Sequence, residues 1–134
     1  MNIRNVALLS VVAILPFGLG ALLVPAQLVA LYGVELSDAG LVMTRLFGVH
    51  VLMIAIVDWF ARNELRGAGE SGAHRGIVAM NIISPTLSML LILAATLSGT
   101  INALGWANVA ILVGLAAAWL YVAMLRAPAA TPTT

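Results

Sequence analysis

Hydrophobic positions fill this chain in four long runs, at about 5–31, 41–61, 76–98 and 104–125, and the polar positions collect in the gaps. As a helix, each run is long enough to cross a hydrocarbon core about 30 Å thick, which takes about 20 residues. The expected fold is all-α. It is a polytopic membrane protein in which four transmembrane helices form an antiparallel bundle over 1–126, followed by a disordered tail at 127–134.

Local breakers refine the pattern. The run 5–31 is too long for one straight span, and Pro25 is expected to end or bend it, because proline removes a backbone donor and clashes with the preceding turn. Residues 26–32 then lie near the membrane interface. Ser84-Pro85 is expected to kink the third span, with a nearby hydroxyl satisfying the freed carbonyl. Residues 62–75 form the one long polar segment, and its three glycines make it flexible. The start Met1-Asn2-Ile3-Arg4 resembles a signal peptide, but the apolar run continues past a normal hydrophobic region without an A-x-A site. An uncleaved first helix is expected.

Composition supports this class. Hydrophobic residues make up 63% of the 134 residues and charged residues 8%, where a soluble domain carries about 25% charged. A net charge of +1 argues against a nucleic-acid partner, which requires a basic face. The absence of cysteine removes disulfides, thiolate metal sites and thiol redox chemistry. All six basic residues are arginine, which, with abundant Ala, Val, Leu and Gly, points to a GC-rich bacterial genome.

The arginines also set an orientation. Arg4, Arg62, Arg66, Arg75 and Arg126 fall on one side of a four-span chain. The other side has the acidic connection 33–40 and the uncharged connection 99–103, with Arg45 inside the second span. The positive-inside rule then places both termini in the cytoplasm. Tyr32 and Trp106 are expected at the outer interface, and Trp59, Trp119 and Tyr121 at the inner one.

Ionisable groups inside a span are costly, so each is a candidate site. The second span holds Arg45, His50 and Asp58. At about 100° per residue His50 and Asp58 share an arc and Arg45 lies away from both, so no single polar stripe runs down this helix. For Arg45 two readings stand. It snorkels to water and pairs with Glu35 or Asp38, or it anchors an anionic headgroup through its guanidinium. For His50 the readings are a neutral ring bonded to Ser88 or Ser84 at matching depth, a ligand or proton-relay contact, or a haem ligand completed by a second copy. Asp58 stands one turn before Arg62, the spacing of an ion pair, and Asn81 lies deep enough to join it. Asn81, Ser84 and Ser88 share a face that should point into the bundle, where hydrogen bonds between helices contribute about 0.6 kcal/mol each. Asn108 lies near the depth of Arg45, and a contact between the two is expected. Ala110, Gly114 and Ala118 form a small-residue stripe, widened by Ala107 and Ala117, which serves either packing within the bundle or self-association. His74 reads as a solvated loop residue.

The runs Leu31-Tyr32-Gly33-Val34, Arg45-Leu46-Phe47-Gly48, Trp59-Phe60-Ala61-Arg62 and Leu104-Gly105-Trp106-Ala107-Asn108 resemble small four-helix bacterial membrane proteins of the DoxX-like kind. The likeness spans about the whole chain. It implies a four-helix inner-membrane fold. Small multidrug transporters are similar in size but carry a glutamate in the first helix, which this chain lacks.

No Walker loop, HExxH, GxSxG or dinucleotide fingerprint is present. The leading expectation is therefore a non-enzymatic scaffold, accessory subunit or lipid-interacting bundle, without cofactor or metal. Its partners are the lipid bilayer and a further copy or another membrane protein. An alternative is a binder or transporter of a small amphiphile, lipid or quinone-like, using Arg45 with His50, Ser88 and Asn108; Asp58, Arg62, Asn81 and Ser84 are then structural. A third is a redox or haem subunit using His50.

Overall fold

The computed structural model describes residues 2–64 and 72–125. These form five helices: α1 (Ile3–Leu23), α2 (Pro25–Ala30), α3 (Asp38–Glu64), α4 (Gly72–Leu97) and α5 (Leu104–Leu125). All but the short α2 are long and apolar enough to cross a membrane. Residues 65–71, with Arg66, and residues 126–134, with the expected tail, lie outside the described residues.

Each boundary has a local cause. Asn2 caps α1, its side chain accepting the Asn5 N–H at 3.0 Å. Pro16 is absorbed within α1, but Pro25 is not. The helix stops at Val24, whose φ of −133° is not helical, and Pro25 takes the first position of α2, where a missing N–H costs nothing. The first apolar run is thus a 21-residue helix and a short separate turn of helix. Gly33, at φ +77°, ends that turn, a conformation open to glycine at little strain. Ser37 caps α3, its hydroxyl accepting the Gly40 N–H at 3.2 Å, and Asp38 favours the positive end of the helix. α4 starts at Gly72, so His74 and Arg75 stand in its first turn rather than in a loop. Pro85 lies within α4, and the hydroxyl beside it belongs to Thr86, which donates to the Ile82 carbonyl at 2.6 Å.

The long helices pack as two antiparallel pairs. α1 lies on α3 and α4 on α5, and the pairs meet along α1 and α5. Gly48 sets the approach of the first pair. A Cβ there would sit 2.7 Å from the Leu22 backbone nitrogen and 2.9 Å from the Gly18 carbonyl oxygen. Such contact between small residues is what holds apolar helices together where lipid is as apolar as the side chains. α3 and α4, although consecutive, make little backbone contact.

The core sits at the end that carries the start of α1. Ile3, Val6 and Ala7 meet Ala61 of α3 and Trp119 and Val122 of α5, and Ile77, Val78 and Ile82 of α4 close over them. Trp119 sits within this core rather than on the outer surface. It is 1% exposed, because its indole N–H has a partner inside, the Ser10 hydroxyl at 2.7 Å. The stripe on α5 is divided: Ala118 packs against the core, while Ala110 and Gly114 are exposed.

The opposite end is held by polar stitches. Asn102 donates from its side chain to the Leu31 carbonyl at 2.8 Å, accepts the Leu104 N–H at 2.9 Å, and donates its own backbone N–H to the Tyr32 carbonyl at 2.9 Å. One residue thus caps α5 and joins the two connections at this end.

Candidate functional site

Between the two helix pairs lies a cavity of about 520 Å³. This is within the range of about 300–1,000 Å³ that holds small-molecule ligands. Its walls come from α1, α3, α4 and α5, and the wall between α3 and α4 lacks close helix packing.

The cavity has three levels. At the connection end Phe17, Tyr32 and Phe47 form an aromatic roof. Phe17 meets Tyr32 edge-on at 6.5 Å and Phe47 edge-on at 6.0 Å, the geometry that ring quadrupoles favour. Asn108 donates to the Tyr32 hydroxyl at 3.2 Å and fixes it there. Burial raises the Tyr32 phenol above its ordinary pKa. At the other end Ser10, Trp119 and Asn81 make the floor. Between them His50 of α3 and Ser84 and Ser88 of α4 line the cavity, and the surrounding lining is mostly aliphatic.

His50 does not bond to either serine. Its Nδ1 lies 2.7 Å from the Leu46 carbonyl oxygen, one turn back on its own helix. A carbonyl only accepts, so Nδ1 carries a proton, and in the Nδ1–H tautomer Nε2 is an acceptor. No hydrogen bond among the described residues engages the Ser84 or Ser88 hydroxyl. These groups therefore line the cavity with hydrogen-bonding capacity in hand.

Asp58 and Asn81 lie just below. Asp58 is fully buried, and its Oδ1 accepts from Asn81 Nδ2 at 2.7 Å, the interhelical contact that matched depths anticipate. Asn81 also donates to the Ile77 carbonyl at 3.1 Å, and Asp58 Oδ2 has no partner. The expected Asp58–Arg62 pair is not formed. Asp58 turns into the bundle, while Arg62 turns away, donating to the Trp59 carbonyl and stacking its guanidinium 3.7 Å from the centre of the Trp59 ring.

Arg45 lies off the cavity. It is exposed, and among the described residues it makes no ion pair with Glu35 or Asp38 and no hydrogen bond to Asn108. Asn108 turns to Tyr32 because it faces inward, on the cavity side of α5, where Arg45 does not reach. The sequence candidates thus divide. His50, Ser84, Ser88, Asn81 and Asn108 share one cavity, and Arg45, Asp58 and Arg62 stand outside it. Tyr32, Ser10 and Trp119 join the site unforeseen. Ser10 is seven residues into α1 from Ile3 and Trp119 six before the end of α5, so the depth matching that pairs Asn81 with Asp58 would have paired these too.

No family model matches the chain, and neither a curated protein nor a solved structure matches it.

Proposed function

We propose that this chain is a multi-pass protein of a bacterial inner membrane, with both termini in the cytoplasm, that binds a small amphiphile between its helix pairs without transforming it. The observation that carries this reading is the cavity itself: about 520 Å³, chiefly apolar, with His50, Ser84 and Ser88 among its lining. Ligand sites have this make-up, in which an apolar lining holds the bulk of a molecule and a few polar groups orient it. The reading keeps the non-enzymatic character expected of a chain without a catalytic motif. It moves the binding groups from Arg45 to His50, Ser84 and Ser88. The DoxX-like likeness of the short motifs accords with such a bundle and specifies no ligand.

The test is native mass spectrometry of the protein released from nanodiscs made with lipid of its expression host. A retained mass that disappears on filling the cavity with Ser88→Phe, but persists in Arg45→Ala, supports the reading. Retention unchanged by Ser88→Phe, or bare protein with only exchangeable lipid, would leave a scaffold or accessory role.

A further inference from the structure

Taking the cavity as a ligand site, the geometry points to the class of ligand: an uncharged amphiphile whose head is a hydroxyl group, held by donation to His50 Nε2 and entering from the lipid phase between α3 and α4.

Three observations lead there. The first is charge. No Arg, Asp or Glu lines the cavity. A carboxylate or phosphate head would be taken out of water with no counter-charge, at a cost an apolar lining does not return. The charged groups of the second span stay outside the lining, Arg45 exposed and Asp58 behind Asn81, to which its carboxylate is bonded.

The second is direction of donation. With Nδ1–H committed to the Leu46 carbonyl, Nε2 of that tautomer accepts and does not donate. Its complement is a donor. Ser84 and Ser88 stand on the facing helix one turn apart, and each hydroxyl can both donate and accept. A hydroxyl head is complete in this setting: its proton goes to Nε2 and its lone pairs receive the serine hydroxyls. An ether has lone pairs but no proton, so it would leave Nε2 unpaired.

The third is access. At the connection end the aromatic rings of Phe17, Tyr32 and Phe47 cover the cavity, and at the other end Ser10, Trp119 and Asn81 make its floor. The side between α3 and α4, where the helices stand apart, is left. That side faces the acyl chains when the bundle spans a bilayer, so the ligand is one that partitions into lipid.

The experiment uses a diazirine-bearing analogue of hexadecanol, photolysed with the full-length protein in nanodiscs, with labelled residues mapped by peptide mass spectrometry. Hexadecanol and its methyl ether serve as competitors. Labels are expected on cavity residues of α3 and α4, and hexadecanol should compete about tenfold better than the ether, the ratio that one neutral hydrogen bond supports. His50→Phe should lower cavity labelling by about the same factor, and His50→Gln, which restores an acceptor, should recover most of it. Ser88→Ala, a milder change to the facing wall, should lower it by a few-fold. If ether and alcohol compete equally and His50→Phe labels as well as the parent, the hydroxyl assignment fails while the cavity remains a ligand site. If no cavity residue is labelled in any variant, the cavity reading fails as well.

Discussion

Trp119 donates its indole N–H to the Ser10 hydroxyl at 2.7 Å, across a sequence separation of 109 residues, at a point where both side chains are buried. The bond ties the last helix to the first and joins the two helix pairs where their shared core is densest. A buried bond of this kind is valued chiefly by what its loss leaves behind. Ser10→Ala strands an indole N–H, and Trp119→Phe strands a hydroxyl and opens space. Each should destabilise the folded protein by about 1–3 kcal/mol, Trp119→Phe more than Ser10→Ala. The double variant should cost less than the sum. Reversible unfolding of the four proteins in mixed detergent micelles measures the coupling, and strict additivity would show that the two residues act separately.

Gly48 and Gly114 offer a paired comparison. Gly48 has main-chain atoms of α1 within 3.0 Å of where a Cβ would stand, and Gly114 has nothing within 4 Å. Gly48→Ala should cost about 1–3 kcal/mol, since the backbone must part to admit the methyl. Gly114→Ala should be neutral or stabilising by up to about 1 kcal/mol through helix propensity. Thermal stability in detergent reads both. Equal effects would mean that α1 and α3 do not close at Gly48.

Asn81 should matter more to the fold than Asp58 does as an acid. Asn81→Ala leaves Asp58 buried with neither oxygen bonded, a loss of about 1–3 kcal/mol or more. Asp58→Asn keeps an acceptor oxygen for Asn81 and should lose less than about 1 kcal/mol. Unfolding midpoints rank the two variants, and the reverse order would point to a role for the carboxylate beyond this bond.

Asn102→Ala removes the side-chain bond to Leu31 and the cap on Leu104 while the backbone bond to Tyr32 stays. A loss of about 1–2 kcal/mol is expected, with faster cleavage of the 24–37 connection by an added protease. Protection equal to the parent's would show that the backbone bond alone holds the two connections.

Tyr32 gives the connection end a pH dependence. Its phenol is raised by burial, so the folded protein keeps that proton at pH values where the unfolded chain has lost it. The contribution is fully present below the unfolded value, about 10. It is lost as the pH rises through the folded value above that. Stability should therefore fall on the alkaline side, and Tyr32→Phe should remove that part of the slope. Phenolate absorbance in a Tyr121→Phe background follows Tyr32 directly; titration at the ordinary tyrosine value would contradict it.

Much of the fold was legible along the chain. Four helices follow from run length, the break at Pro25 from the chemistry of proline, and the Asp58–Asn81 contact from counting depth inward from the helix ends. Helix pairing was not. The four long helices are rich in apolar residues on every side, so no stripe declares which face meets which neighbour. For the same reason nothing in the sequence told Trp119 in the core from Trp106 at the surface. The i, i+4 rule paired Asp58 with Arg62 because it weighs spacing and ignores the direction in which each side chain finds a better partner. The sequence marks His50 as a candidate, but its bond to the Leu46 carbonyl depends on the direction of the ring, which spacing does not specify.

The close seat of Gly48 on α1 also bears on how the molecule could move. With main chain against main chain, α1 and α3 have little freedom to slide or separate. The Asn102 stitches prevent the connection end from splaying. A change in the width of the α3–α4 gap therefore falls to the α4–α5 pair, swinging as one blade against a fixed α1–α3 blade. On the proposed reading a guest would enter sideways as that blade turned about the ends of the bundle, where the Asp58–Asn81 and Asn102 bonds join the two pairs.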